Sequence, residues 1–186
     1  GYDYYLTDET YELNADGSAP YVIDMDLGQN WTFEAEYRMD GIYKHNTVLS
    51  YGHYIEGILI RTTSMYLIGA ITHTADVFGG DTTNGEYVPI KVTYNNNGVD
   101  GTLNVYRSGE LVGTYADSRD LAPEEKSIRI GSAHHAQHEG FEGAIRNIVI
   151  TTELSAFLEV TDTFVLTVEN TNDAPILLNV IEDQVA

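Results

Sequence analysis

Three of the chain's six histidines, His134, His135 and His138, fall within the single polar stretch Ser132–Glu139, between two apolar segments. Imidazoles at that density bind a transition metal, hydrogen-bond a ligand or respond to pH; a polar loop with ordinary exposed histidines is the alternative. A second group lies in Ile71–Gly85, where His73, Asp76, Asp81 and Asn84 surround the pair Gly79-Gly80. Hard oxygens on a flexible backbone are what calcium takes, although the spacing is not that of an EF-hand. An ordinary long surface loop explains the same residues, and loops of that length are functional more often than short ones.

Carboxylates recur two residues apart, Glu34 with Glu36 and Asp24 with Asp26. On a strand that spacing puts both groups on one face. A retaining glycosidase needs carboxyl groups about 5 Å apart, one of them an acid with a raised pKa, which the spacing alone does not supply. Alternation of the glutamates with Phe33 and Tyr37 favours a solvated outer face. No Gly-x-Ser-x-Gly elbow, phosphate loop or dinucleotide fingerprint occurs. Cysteine is absent, which removes disulfides, thiolate metal sites and cysteine nucleophiles together. Tyrosine is abundant, 14 residues against 5 Phe and 1 Trp. Tyr2, Tyr4, Tyr5, Tyr43, Tyr51, Tyr54 and Tyr66 fall near strand ends or loops, where such rings stack on a sugar or peptide face at little entropic cost. The alternative is that many are core residues with the hydroxyl at the surface.

The whole chain has 186 residues, 29 acidic and 9 basic, for a formal charge of −20. Nucleic acid is excluded as an expected partner, since its affinity comes from Lys and Arg on phosphates, and an anionic membrane is disfavoured likewise. Either bound cations offset the carboxylate repulsion, calcium first among them, or the charge serves solubility. No apolar run approaches the roughly 20 residues of a membrane span, and Gly1-Tyr2-Asp3-Tyr4 does not begin a signal peptide, so the chain reads as a segment of something longer.

Period-two runs rich in β-branched and aromatic residues must position these groups. Trp31–Met39 alternates throughout. Further predicted strands are Tyr21–Leu27, Thr47–Tyr51, Gly57–Thr62, Met65–Thr72, Val88–Tyr94, Thr102–Arg107, Glu110–Tyr115, Ser127–Ile130 and Ala144–Thr151. Turn signals such as Asn84-Gly85, Asp100-Gly101 and Ser108-Gly109 separate them, and Ser108-Gly109 predicts a hairpin. Leu121–Lys126, with Pro123 near its start, has room for one helical turn. Short strands with tight turns bury their apolar faces against a second sheet, giving an all-β antiparallel sandwich or barrel. Composition changes near Ser155, and residues from about 156 onward read as a separate piece.

The stretches Trp31-Thr32-Phe33-Glu34-Ala35, Thr47–Gly52, Val88–Tyr94, Leu103–Val112, Ile128–Gly131 and Phe141–Ile148 occur in the order and spacing of a laminin-G-type domain. The chain from about Tyr21 to Ser155 thus resembles the concanavalin-A-like jelly-roll superfamily. That resemblance implies two stacked antiparallel sheets and a binding rather than catalytic role, over a domain of residues 1–155 in which residues 1–20 are unassigned. Some jelly rolls of this superfamily are glucanases, but their three-acid Glu-x-Asp-x-Glu signature is missing here. Asp162–Val168 followed by Asn170-Thr171-Asn172-Asp173-Ala174-Pro175 resembles the last strand and linker of bacterial cadherin-like repeats, so residues 156–186 read as a partial repeat. In such repeats calcium stiffens the linkers, which assigns Asn172 and Asp173 as calcium ligands.

Pentraxins share this jelly roll, and there the loop equivalent to the histidine stretch faces an acidic pair just before a strand like Ile58-Leu59-Ile60. Here that neighbourhood is His53-Tyr54-Ile55-Glu56, so histidines largely replace the pentraxin calcium ligands. The expectation is a non-catalytic, calcium-dependent module of an extracellular RTX-type bacterial surface adhesin. It would bind a cell-surface glycan or peptide through His53, Tyr54, Glu56, Arg61, His73, His134, His135 and His138, with calcium on Asp76, Asp81, Asn84, Asn172 and Asp173. Arg61 would pair with a ligand carboxylate or sugar hydroxyls. A structural spacer in the adhesin stalk, or a glycan-cleaving enzyme, are the alternatives.

Overall fold

A computed structural model of the chain describes residues 2–14, 16–17, 20–41, 46–53, 56–62, 64–67, 70–73, 77–78, 83, 85–97, 101–117, 123–134 and 140–153. Its strands among these residues are β1 (Tyr2–Leu13), β2 (Tyr21–Ile23), β3 (Asn30–Met39), β4 (Thr47–Tyr51), β5 (Ile58–Arg61), β6 (Met65–Leu67), β7 (Ala70–His73), β8 (Val88–Asn96), β9 (Gly101–Arg107), β10 (Glu110–Asp117), β11 (Ile128–Ile130) and β12 (Gly143–Glu153). They form two six-stranded sheets in the orders β1-β12-β3-β8-β9-β10 and β2-β11-β4-β5-β6-β7. Every pairing is antiparallel. The fold is an all-β jelly-roll sandwich.

Alternation explains the first sheet. Trp31, Phe33, Ala35, Tyr37 and Met39 of β3 are buried while Asn30, Thr32, Glu34, Glu36 and Arg38 are half-buried on the other face. Ile90, Val92 and Tyr94 of β8, Leu103 and Val105 of β9, and Ile145, Ile148 and Ile150 of β12 complete that inner layer. The second sheet answers with Ile23, Leu49, Tyr51, Ile58, Ile60, Ile128 and Ile130. Burying each large apolar side chain contributes about 1.5–3 kcal/mol, the main force holding the sheets together. Phe78 and Phe141 close one end, with ring centroids 5.8 and 6.0 Å from that of Tyr37.

β4 and β5 are buried at every position. Gly131 N extends the β11–β4 ladder by donating to Val48 O at 3.1 Å, and the segment that follows turns over the outer side of β4, where Ser50 Oγ donates to Ser132 O at 2.9 Å. Both faces being covered, these strands lack the alternation of β3.

The sequence expectations need four amendments. Residues Tyr2–Leu13 form an edge strand paired with β12, so they belong to the jelly roll. Tyr21–Leu27 ends as a strand at Ile23, because Asp26 instead caps a turn by accepting from Gly28 N at 3.1 Å. Met65–Thr72 is two strands, β6 and β7. Pro123–Ser127 contains bends rather than a helical turn. Residues 156–186 lie outside the described residues.

Candidate functional site

At one end of the second sheet, the β4–β5 connection and the stretches flanking β11 meet. Glu56 Oε2 accepts from Glu124 N at 3.1 Å, and Gly52 N donates to Ser127 O at 3.3 Å. That carbonyl also lies 3.0 Å from His134 Nε2, which must carry the proton because a carbonyl only accepts. His134 Nδ1 is 3.0 Å from Glu125 Oε2, with its side chain 2% exposed. Ser127 Oγ donates to the other Glu125 oxygen at 3.1 Å. Burial pushes the His134 imidazole below the ordinary histidine range, and its contacts with Glu125 and the Ser127 carbonyl offset this only in part. Once the ring is protonated, its hydrogen bond from Nδ1 holds the Glu125 carboxyl low, although the carboxyl's own desolvation opposes this. Burial is the stronger effect, so the ion pair forms only when acidification protonates the ring.

Nearby, Asp26 accepts from Tyr51 OH at 2.6 Å and from Lys126 Nζ at 2.6 Å. Partial burial would raise its pKa, but Lys126, the Tyr51 hydroxyl and Gly28 N together hold the carboxyl low. Burial and the facing Asp26 carboxylate push the Tyr51 hydroxyl up. Apart from His134 Nδ1, which is buried without a hydrogen-bond partner while the ring is neutral, these contacts tie the loops of this end together as a clasp.

His53, Glu56 and His134 are therefore brought to one end of the sheet. Arg61 is not: it sits three residues beyond Ile58 in β5, in register with Thr47, which is about 10 Å further along the strand. It is 6% exposed, and its guanidinium lies 3.4 Å from Ser64 Oγ. The His73 backbone pairs with Met65 at that opposite end. Tyr54, His135, His138, Asp76, Asp81, Asn84, Asn172 and Asp173 lie outside the described residues. No three His, Asp or Glu side chains converge as a metal site among the described residues.

The outer face of the first sheet carries an arrangement that inspection of single strands misses. Cross-strand register aligns Tyr4, Thr151, Thr32, Thr93, Asn104 and Thr114 on β1, β12, β3, β8, β9 and β10. All six are half-buried or exposed, while their neighbours Trp31, Phe33, Val92, Tyr94, Leu103, Val105, Ile150 and Thr152 face inward. The next row holds Glu153, Asn30, Asn95 and Thr102. Between these rows a shallow groove of about 270 Å³ runs over β12, β3 and β8, lined by Asn30–Thr32, Thr93–Asn95 and Thr151–Glu153. A second depression of about 310 Å³ follows along β3 over Glu34, Glu36, Lys91 and Val149. Its charges pair off: Lys91 Nζ is 2.7 Å from Glu34 Oε1 and Arg146 Nε 2.7 Å from Glu36 Oε2. The glutamates thus stand on a solvated outer face, each opposite a base.

Each of these threonines and Asn104 occupies a polar position of an alternating strand, so the raw signal was in the sequence. What aligns them is pairing register across six strands, which only the tertiary structure provides.

Among the described residues no helix is long and apolar enough to cross a membrane. No family model matches the chain, and no curated protein matches it in sequence. Solved structures do resemble it. Domain 4 of AbnA, a GH43 extracellular arabinanase from Geobacillus stearothermophilus solved in complex with arabinotriose, superposes with a TM-score of 0.58 at 11% identity, over 81% of this chain and 75% of that one. Mouse laminin α1 domains LG4–5 give 0.55 at 9% identity, over 75% of this chain and 40% of that one. The LG1–3 region of the laminin α2 chain gives 0.52 at 10% identity, over 76% and 31%. The present chain thus spans less than half of either laminin fragment. At such identities the likeness is one of fold: a laminin-G-like jelly roll of two antiparallel sheets.

Proposed function

We propose that the chain is a non-catalytic glycan-binding module, and that its ligand lies on the outer face of the first sheet. The observation that carries this reading is the groove over β12, β3 and β8, floored by paired strands and lined by hydroxyl and amide side chains. Such groups exchange hydrogen bonds with sugar hydroxyls without burying a charge. The likeness to an arabinanase domain solved with arabinotriose supports a saccharide ligand on this fold. Glu34 and Glu36 are each tied to a base, an arrangement that supports recognition rather than acid–base cleavage. The module belongs, in this reading, to an extracellular bacterial surface adhesin of the RTX type, with residues 156–186 forming a partial cadherin-like repeat and linker. Calcium on Asp76, Asp81, Asn84, Asn172 and Asp173 forms part of the proposal, supported by the chain's charge of −20.

Affinity electrophoresis through gels containing arabinan, xylan, β-glucan or mannan tests the function. Retardation in at least one gel, lost in Thr93→Arg, is the expected result. Migration unaffected by every polysaccharide, with the protein folded and calcium present, contradicts it.

A further inference from the structure

We infer that the ligand of this face is an uncharged, linear polysaccharide lying across the strands, about one sugar ring per strand; the inference rests on the glycan-binding reading above. Two directions are open to a chain on this sheet, along β3 or across it. Along β3 the surface changes within two rows, from Asn30 and Thr32 to the ion pairs Glu34–Lys91 and Glu36–Arg146. Across the strands it is uniform in chemistry: Thr151, Thr32, Thr93, Asn104 and Thr114 place a hydroxyl or amide on each successive strand, the Thr114 hydroxyl donating to Asn104 Oδ1 at 2.9 Å. Neighbouring strands stand about 4.8 Å apart, so the row offers four such steps, roughly 19 Å, with a repeat close to the width of a sugar ring.

The flanking rows give this track its walls. On one side stand Leu6, Lys91, Tyr106 and Leu111, all longer than threonine, aligned by the same register with Glu34 and with Val149, which is of threonine's size; Leu6 is 60% and Leu111 55% exposed. Thr32 and Thr93 lie between the longer Glu34 and Lys91 on one side and Asn30 and Asn95 on the other, which keeps the floor low there, so that a polymer settles against it. Tyr4, 60% exposed, stands in the row on the β1 edge and presents a ring that stacks on a terminal sugar.

Charge selects the ligand class. No Lys, Arg or His lines the groove, its only carboxylate is Glu153, and the molecule carries −20 overall. A uronic acid or sulfated sugar would meet that carboxylate, while Lys91 in the flanking row is already paired with Glu34 at 2.7 Å; an uncharged polyhydroxyl chain has no such penalty.

Calorimetric titration with linear arabinan, xylan, β-glucan and mannan oligosaccharides of two to seven units, beside polygalacturonate, tests this. For the series that binds, affinity is expected to rise with each added unit to about five, the number of strands from β12 to β10, and then level off. Thr32→Ala and Thr93→Ala each weaken binding of the hexasaccharide about fivefold to tenfold, one or two neutral hydrogen bonds' worth, while Thr93→Ser restores it. Affinity already complete at the disaccharide overturns the inference and leaves a glycan-binding pocket, as does polygalacturonate binding more tightly than every neutral polymer. Wild-type affinity in both alanine variants overturns it too and places the glycan elsewhere. Absence of binding to any saccharide overturns this inference together with the function it rests on.

Discussion

His134 ties protonation to folding, because its ring is enclosed between the Ser127 carbonyl and the Glu125 carboxylate. Burial lowers its folded pKa below the unfolded value of about 6.5. The unfolded chain therefore binds the proton first as pH falls, and stability drops from about pH 6.5 downward until the folded ring is also charged. Glu125, whose folded pKa is depressed by His134, contributes stability above its unfolded value and loses it at still lower pH. Thermal midpoints of the wild type should consequently fall more steeply between pH 7.5 and 5.5 than those of His134→Gln; parallel profiles would contradict this assignment. Gly57 makes a different residue-scale demand. A Cβ there would lie 1.9 Å from the Tyr51 carbonyl oxygen, a backbone atom with no rotamer to yield. Gly57→Ala is expected to cost about 2–4 kcal/mol in urea unfolding, and a loss below about 0.5 kcal/mol, the scale of neutral surface changes, would show that the β4–β5 connection relaxes freely.

Among the elements, the β9–β10 hairpin has the plainest local cause. Ser108 and Gly109 adopt φ of 51° and 83°, the left-handed pair of a type I′ turn. Gly109→Ala meets no atom within 4 Å, so only the backbone conformation opposes it, at about 1–2 kcal/mol. Ser108→Asn should raise the urea midpoint, since Asn accepts that conformation better than Ser; a lower midpoint would argue against the turn type. This hairpin was legible because Ser-Gly sits between two alternating runs. So were β3, β8, β9 and β12, each with one wet and one dry face. Period alone served the other elements less well. β1 is an edge strand rich in Asp, Glu and Thr, with a register shift between Thr7 and Thr10, so its inward Tyr5, Tyr11 and Leu13 do not stand out. Tyr5 and Tyr21 hydroxyls nevertheless meet, and the rings of Tyr11 and Tyr21 stack at 3.8 Å, joining this edge to the other sheet. The candidate site followed the same division. Loops rich in histidine and aspartate draw the eye, whereas a row of four threonines, an asparagine and a tyrosine from six separate strands has no spacing in one dimension.

For the whole molecule, a charge of −20 means that any cation bound only by the folded state adds directly to stability. The calcium proposal predicts a thermal midpoint higher in calcium than in EDTA at equal ionic strength, by an amount that grows with calcium concentration and reaches about 2.7 kcal/mol at a hundredfold excess over Kd. Equal midpoints would leave the acidic surface as a solubility feature. Recognition, in the function proposed above, rests on the neutral strip that the two-sheet architecture holds within this acidic surface. Its most direct test is backbone amide NMR on the 15N-labelled protein, titrated with linear arabinopentaose or whichever neutral pentasaccharide binds best. Shifts that gather at Thr32, Thr93, Asn104 and Thr151, with His53, Glu56 and His134 unmoved, are the predicted result; shifts confined to His53, Glu56 and His134 would contradict it.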